Sequence, residues 1–247
     1  MLNFNKILIL FCFFFINSFQ LFADIKVDDL IAKIEKAADP EHIGSTIKSQ
    51  LRTVEISFPG KKLLIHSITV DKYPDKSKTI TQISSGLSYI VCCDGKEGWK
   101  CSNATEIVSI PPAELAKIKF DIFMRNPAHK LKDIFSKFTI ASNSDLVGAL
   151  ECYKLVCVPK NGFCGKSFTL WIDKNQFLIR KMVFIMNVSG ADVRTETLFS
   201  DYKIINKIPV ATSLIIQQGD LLLIAKVLDI KNNVDVSDTE FQKPAKK

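Results

Sequence analysis

The cysteines are the residues of this 247-residue chain with the clearest capacity for chemistry. Two adjacent cysteines and a third lie in the stretch YIVCCDGKEGWKC, residues 89–101, and three more follow between positions 152 and 164. Clustered thiols bind zinc, exchange disulfides or form structural cross-links, according to their spacing and the redox state around them. The compartment in which the protein resides therefore has to be inferred first.

The N-terminus has the features of a secretory signal peptide. Lys6 precedes an apolar run over residues 7–16, and polar residues then lead to a cleavage site expected before Asp24. The run is shorter than the roughly 20 apolar residues that a membrane-spanning helix needs. An uncleaved N-terminal anchor is the alternative, because Leu21 is larger than the small residue usual at that position of a cleavage site. Residues 1–23 are accordingly predicted to be a cleaved signal peptide.

Residues 24–247 are predicted to form one exported domain in an oxidising compartment. This part of the chain is long enough for a single β-rich domain with a substantial core. The net charge of the whole chain is +7, but the basic residues are scattered along the sequence. Nucleic-acid binding would favour a basic stripe with interleaved aromatic residues. We therefore expect no nucleic-acid partner, and we expect a monomer.

The six cysteines beyond residue 24 form an even set, which predicts disulfides in an oxidising compartment. These disulfide candidates are Cys92, Cys93, Cys101, Cys152, Cys157 and Cys164. The adjacent pair points to opposite faces of one predicted strand, so each member needs its own partner. A GKEG loop would place Cys92 opposite Cys101, whereas a three-residue loop centred on Glu97 would place Cys93 there. The sequence leaves both pairings open.

The second cysteine group surrounds a predicted turn. Residues 159–162, Pro-Lys-Asn-Gly, have good turn chemistry, and a turn centred on them brings Cys157 across from Cys164. Cys152 then remains for whichever member of the adjacent pair is free.

The spacing of the possible ligands argues against a metal site or an active site. Structural zinc sites usually pair cysteines two to four residues apart, and the spacings here are C-C-x7-C and C-x4-C-x6-C. The C-x-x-C motif of thiol oxidoreductases is absent from the sequence. His42, His66 and His129 lie in polar or turn-like sequence, and no G-x-S-x-G or H-E-x-x-H motif occurs. We predict no metal, no cofactor and no catalysis, with a disulfide-active enzyme as the weakest alternative.

The hydrophobic pattern predicts an α+β protein that consists mainly of antiparallel β-strands. Val27, Leu30, Ile31 and Ile34 recur at helical spacing, and the period changes to two from Thr53 onward. About eleven strands joined by short turns predict a sequential antiparallel meander. With two or three helices, the strands predict an unclosed half-barrel filled partly by helices.

A segment between two groups of strands, residues 111–127, is predicted to be an amphipathic helix bounded by prolines. Its apolar side carries Leu115, Ile118, Ile122 and Phe123. Such a stripe must be buried on another surface, and the concave side of the sheet is available. The helix is interpreted either as core packing or as a lid over a cavity.

Two tryptophans are further candidates for the wall of such a cavity. Trp99 and Trp171 stand near predicted turns. A tryptophan there is either a core anchor or part of a cavity mouth, because its ring is apolar and its N–H needs a partner.

The order of these features resembles a known family. Along the chain follow a helix, strands, YPDKSK at 73–78, DGKEGW at 94–99, a proline-led helix, LWID at 170–173, DYKIIN at 201–206 and a closing stretch at 233–244. This order is similar to that of the LolA-type outer-membrane lipoprotein-sorting proteins, over essentially all of residues 24–247. The resemblance implies an unclosed antiparallel β-barrel with a helical lid, and a noncatalytic cavity for acyl chains.

The resemblance also implies a role for Lys78. In the family an arginine at this place helps to hold the lid, so Lys78 is the expected lid latch. Lysine is a point donor without the guanidinium fork, and the same pattern of hydrogen bonds is therefore not expected.

The expected function is the carriage of acyl chains of lipids or lipoproteins across the periplasm toward the outer membrane. The implied partners are an inner-membrane donor protein and an outer-membrane acceptor protein. The alternative is an envelope protein-interaction or stress-sensing module with the same fold.

Overall fold

The computed structural model describes residues 24–103, 106–160, 165–188 and 191–244, without the side chains of residues 186–188 and 191. The predicted signal peptide, residues 1–23, and Cys164 lie outside the described residues. Among the residues described, no helix has both the length and the apolar character needed to cross a membrane.

Within the described residues, thirteen antiparallel strands form one unclosed sheet. The strands are β1 (Ser49–Ser57), β2 (Leu64–Lys72), β3 (Lys76–Ile83), β4 (Ser88–Asp94), β5 (Gly98–Ser102), β6 (Val108–Ser109), β7 (Phe135–Val147), β8 (Leu150–Pro159), β9 (Phe168–Asp173), β10 (Ile179–Val188), β11 (Ala191–Ile205), β12 (Ile208–Gln218) and β13 (Leu221–Asn232). Their order across the sheet is β6-β5-β4-β3-β2-β1-β13-β12-β11-β10-β9-β8-β7. The first and last strands of the chain thus pair in the middle of the sheet.

The predicted half-barrel is confirmed, although the sheet has thirteen strands where the sequence indicated about eleven. Strand β6 accounts for part of the difference, because it has two residues and is too short to show a period of two.

Three helices occur in the part of the chain that the structure describes: α1 (Val27–Ala38), α2 (Pro112–Arg125) and α3 (Leu131–Ile134). Single 3-10 turns cover Gly44–Thr46 and Asp238–Phe241. The first turn of helix α1 carries Asp28 and Asp29, whose charges complement the positive end of the helix dipole. Of the four predicted apolar residues, Leu30, Ile31 and Ile34 are buried and Val27 is partly buried. Helix α2 begins with a proline, as the sequence predicted.

The main core lies between helices α1 and α2 and one end of the sheet. Phe120 of α2 stacks near Phe168 of β9, with ring centroids 5.0 Å apart, and near Phe184 of β10 at 6.4 Å. The side chains of Leu155 and Leu170, on the strands below, are fully buried. Aromatic and aliphatic burial of this kind contributes roughly 25 cal/mol for each Å² of apolar surface removed from water.

The strand register identifies the face of the sheet that looks toward the helices, called here the inner face. Asp71 of β2 bonds Arg125 of α2, and Phe184 of β10 packs near Phe120 of α2. Side chains alternate between the two faces along a strand, and directly paired residues of neighbouring strands point to the same face. Applying these two rules from Asp71 or from Phe184 places Ile56, in the middle strand β1, on the inner face. The inner face is therefore continuous from β10 to β2.

The opposite, outer face of β1 to β5 is crossed by the C-terminal strap, residues 233–241. Asn233 and Ser49 anchor its start through bonds to Lys48 N and Val234 O, and the fully buried Phe241 anchors its end. The strap lies over a second small core that contains Trp99 and three other buried residues.

Candidate functional site

The inner face of the central strands retains accessible apolar surface. Several apolar side chains on this face are only partly buried, in contrast to the fully buried residues beneath helices α1 and α2, and they alternate along the strands with buried residues such as Ser67, Thr69 and Ala225 or with outward-facing ones. We call this surface the inner trough; it comprises Val54, Ile56, Ile65, Ile83, Leu214, Ile216, Leu223 and Val227. An apolar sheet face that is not filled by protein can accommodate another apolar molecule.

Helix α2 covers the inner face beside the trough. Of the four residues predicted for its apolar side, Ile122 is fully buried and Phe123 packs against the main core. Leu115 lies so close to β5 that its Cδ1 is 3.1 Å from the position of a Cβ at Gly98, and Ile118 is half-buried.

Phe120 is a buried residue of α2 that the sequence analysis did not select. It is 2% exposed and fills the space between α2 and β9. The sequence analysis assumed that α2 buries one side only. The sheet curves around the helix and covers Phe120 as well. The space directly beneath this part of α2 is packed, and the accessible apolar surface lies beside it.

An ion pair fastens the end of α2 to the sheet. Arg125 donates from Nε and Nη2 to the two carboxylate oxygens of Asp71, at 2.8 and 2.9 Å, and weakly from Nη2 to Ser77 Oγ at 3.4 Å. The hydroxyl of Tyr73 donates to the backbone oxygen of Arg125 at 3.0 Å. Asp71 is 1% exposed, so this bidentate pair is shielded from water on the sheet side. At the other end of α2, Lys100 bonds Glu114.

The predicted latch residue Lys78 does not hold the lid. Its side chain lies on the outer face, where its Nζ bonds Glu240 of the C-terminal strap at 2.8 Å. Residue 78 follows Ser77, which faces inward, and neighbouring residues of a strand point to opposite faces. The basic residue that bonds α2 to the inner face of the sheet is Arg125, which belongs to the helix itself. A basic residue in the last helical turn and an aspartate at an inward position of β2 were the signals available in the sequence.

Both tryptophans also lie on the outer face and do not line the trough. Trp99 is covered by the strap, and its Nε1 donates to Phe241 O at 3.2 Å. Trp171 donates to Asp145 Oδ2 at 3.0 Å and lies between the ammonium groups of Lys154 and Lys181, at 5.2 and 4.9 Å from its ring centroid. The prediction of a cavity-wall role was wrong because each ring points away from the helices.

A pocket of about 280 Å³ occurs on the outer face, between the strap and the side chains of Leu51, Val70 and Lys78. It lies on the opposite side of the sheet from the inner trough, and it is separate from the space predicted beneath the lid.

Neither predicted pairing of Cys101 is present. Asp94 and Glu97 close the turn between β4 and β5, so Cys92 lies opposite Trp99 and Cys93 opposite Gly98. Cys101 lies opposite Ile90. The Asp94 side chain accepts the backbone N–H groups of Lys96 and Glu97, which stabilises this tighter turn.

The cysteines of β8 are likewise unpaired with the expected partners. Cys157 lies opposite Phe168 and packs in the main core, while its expected partner Cys164 lies outside the described residues. Cys152 lies on β8, and eight strands separate β8 from β4 in the sheet order, which precludes a bond to Cys92 or Cys93. All five described cysteines are free thiols.

Arg52, a residue that the sequence analysis did not select, lies on the inner face of β1 beside the trough. Its Nη2 donates to Gln50 Oε1 at 3.0 Å, while its Nε is shielded from solvent and donates to none of the described residues. Burial and the nearby charge of Arg125 lower the pKa of Arg52 to about 10. The side chain is still cationic at neutral pH.

The histidines do not form a reactive group. His129 stacks on Phe123 at 3.5 Å, interacts with Asn126 through Nε2, and has its pKa lowered by burial. His42 and His66 are exposed. Within the described part of the chain, no three metal-ligating side chains come together.

The fold is that of LolA-like proteins, as solved structures show. A LolA superfamily protein from Nitrosomonas europaea superimposes with a TM-score of 0.60 at 14% identity, over 89% of this chain and 98% of that one. A DUF1329 family protein from Desulfovibrio piger superimposes with a TM-score of 0.59 at 15% identity, over 86% of this chain and 97% of that one. For a putative outer-membrane lipoprotein-sorting protein domain from Vibrio parahaemolyticus, the TM-score is 0.54 at 14% identity, over 85% of this chain and 94% of that one.

The resemblance inferred from the sequence is thereby confirmed at the level of the fold. No protein-family model and no curated protein matches the chain.

Proposed function

We propose that this protein is an exported, noncatalytic carrier that binds acyl chains of lipids or lipoproteins in the inner trough. The observation that supports the proposal is the accessible apolar floor formed by the central strands of a sheet whose remaining inner face is covered by helices. A carrier needs such a surface and no reacting group.

The trough can supply the necessary binding free energy. Each methylene that leaves water contributes about 0.8 kcal/mol, so a dozen buried methylenes contribute roughly 10 kcal/mol before the cost of ordering the chain. The trough presents aliphatic side chains from several neighbouring strands, which matches the shape of an extended hydrocarbon.

Helix α2 acts as the lid in this proposal. Leu115, Ile118, Ile122 and Phe123 face the apolar interior, and the Arg125–Asp71 pair is the latch that fixes the helix against the sheet. Release of the latch would widen the access to the trough. Because the pair lies at the end of the helix, α2 can tilt about its N-terminal contact with β5.

The proposed route runs through the periplasm toward the outer membrane, with an inner-membrane donor protein and an outer-membrane acceptor protein as partners. Two observations support this setting: the signal-peptide pattern of residues 1–23, and the LolA-like fold, which a putative outer-membrane lipoprotein-sorting domain shares.

Native mass spectrometry of the gently purified protein tests the proposal, together with titration by a fluorescent neutral monoacylglycerol. We expect copurified lipid and saturable uptake of the probe. An empty protein that takes up no probe but retains a defined protein partner would refute carriage and favour the interaction module.

A matched pair of substitutions on β2 assigns the uptake to the trough. Ile65 faces inward and Ile68, which is 40% exposed, faces outward. We expect Ile65→Gln to weaken probe binding by about tenfold or more, because it places an amide against hydrocarbon, and Ile68→Gln to leave it unchanged. Equal effects of the two variants would exclude the trough as the binding surface.

A further inference from the structure

Arg52 is a cationic group at the border of the apolar trough. On β1 it precedes Val54 and Ile56 on the same face, so the distance from Arg52 to Ile56 along the strand is about 13 Å at 3.3 Å for each residue. Only one hydrogen bond from its guanidinium to the protein is present among the described residues, the one to Gln50. The side chain is partly accessible, while its Nε faces no protein acceptor.

The charges around Arg52 do not balance it. Asp71, the carboxylate that acts electrostatically on Arg52, has both oxygens bonded to Arg125. Asp121 of α2 interacts with Arg125 and Lys117 instead. Arg52 takes part in no ion pair within the described residues, and the carboxylate of Asp71 is engaged by Arg125.

This arrangement is unfavourable for folding. A partly buried guanidinium loses hydration, and here it gains neither an ion pair nor its full set of hydrogen bonds. An apolar residue at position 52 would extend the trough without that cost. The Arg52 guanidinium thus destabilises the fold while it lies beside the candidate binding surface. An anionic group of a bound ligand would supply the partner that the protein does not provide.

We propose that Arg52 binds the anionic headgroup, a carboxylate or a phosphate, of an amphiphile whose acyl chain lies in the inner trough. The inference rests on the proposed carrier function and specifies the chemical class of its cargo. The guanidinium supplies charge-assisted hydrogen bonds to the anion, and Val54 and Ile56 begin the apolar path that the chain follows.

The test compares three amphiphiles that share one oleoyl tail: oleic acid, oleoyl lysophosphatidic acid and neutral monoolein. Each competes at neutral pH, below its aggregation concentration, with the fluorescent monoacylglycerol for the full-length mature protein. We expect at least one anionic amphiphile to bind about tenfold to a hundredfold more tightly than monoolein. Which of the two it is distinguishes a carboxylate from a phosphate headgroup.

Two variants locate the preference. Arg52→Gln should abolish it and leave monoolein affinity within about twofold, whereas Arg52→Lys should keep part of it because the charge remains. Lys226→Met removes one positive charge from the exposed outer face of β13 and should leave the preference intact. The urea midpoint of Arg52→Gln should equal or exceed that of the wild type, which excludes unfolding as the cause.

The outcomes separate the two proposals. Equal affinity of the wild type for all three amphiphiles, or an undiminished preference in Arg52→Gln, overturns the headgroup assignment and leaves acyl-chain carriage standing. Failure of the wild type to bind any of the three overturns both.

Discussion

The ion pair between Asp71 and Arg125 offers a direct test of how the lid is held. We consider Asp71→Asn, which preserves the shape of the side chain and removes its charge. The substitution removes the carboxylate that accepts two hydrogen bonds from Arg125, and the same carboxylate acts electrostatically on Arg52. Two guanidinium groups then face one another in a partly buried site.

The magnitude follows from the burial of the two partners. Breaking a fully buried ion pair by removing one partner costs about 3–5 kcal/mol, whereas exposed pairs contribute about 0–1 kcal/mol. Asp71 is 1% exposed and Arg125 is 23% exposed, so the pair belongs toward the buried limit without reaching it. We therefore expect Asp71→Asn to lower the free energy of unfolding by about 3 kcal/mol.

A double-mutant cycle with urea unfolding at neutral pH measures the pair itself. Arg125→Met should also destabilise the protein, but the double variant should be more stable than the sum of the two losses predicts. We expect a coupling of about 2 kcal/mol, because Asp71→Asn leaves the charge of Arg125 without the Asp71 carboxylate, whereas in the double variant that charge is absent. Hydrogen exchange should report faster exchange in α2 of Asp71→Asn than in β8 to β10.

The control is a pair of the same chemical type that is exposed. Lys132 bonds Asp28 with exposed fractions of 57% and 85%, and Asp28→Asn should cost less than about 0.5 kcal/mol. If Asp71→Asn costs no more than this control, or if its cycle with Arg125→Met is additive, the latch interpretation is wrong.

Three further predictions concern other parts of the fold. Burial holds the pKa of His129 below its ordinary 6.5, so the unfolded chain binds the proton first as pH falls. The free energy of unfolding should therefore decrease as the pH falls below 6.5, and His129→Gln should remove this part of the pH dependence in urea titrations. If the free energy of unfolding of the variant depends on pH as steeply as that of the wild type, the prediction is wrong. Burial raises the pKa of Cys92 and Cys157 to about 12, so only about one thiol in ten thousand is ionised at pH 8. Ellman's reagent should label both slowly in the native protein and completely in urea; alkylation-resistant cysteines in unreduced, denatured protein would contradict the free-thiol assignment. A Cβ on Gly44 would stand 2.3 Å from Pro127 O, so Gly44→Ala should lower the free energy of unfolding by about 2 kcal/mol, and an unchanged urea midpoint would show that the backbone there can shift.

The elements of this fold were largely predictable because their signals are local. Period-two alternation identified the strands, and the recurrence of Leu30, Ile31 and Ile34 identified α1. Short turns predicted the antiparallel order, which the sheet has except that β6 and β7 form its two edges and β1 pairs with β13. That pairing joins distant parts of the chain, and no local turn encodes it.

Register was the first property that local signals did not determine. The sequence allowed two hairpin loops before Cys101, and the structure has neither, because the Asp94 carboxylate accepts two backbone N–H groups of a tighter turn. A shift of two positions keeps every side chain on its face but changes every cross-strand partner. The two predicted pairings of Cys101 depended on those partners and are absent for this reason.

The sequence by itself determined that the chain would form a mainly antiparallel half-barrel with an amphipathic helix, since apolar periodicity requires a buried face for each element. Only the tertiary structure decided which face of the sheet is inner, and in it the side chains of Trp99, Trp171 and Lys78 lie on the outer face. It likewise brought Asp71, Arg125 and Arg52 together. The physical reason is that charge pairing and burial depend on distances between residues far apart in sequence, and the folded sheet alone sets those distances.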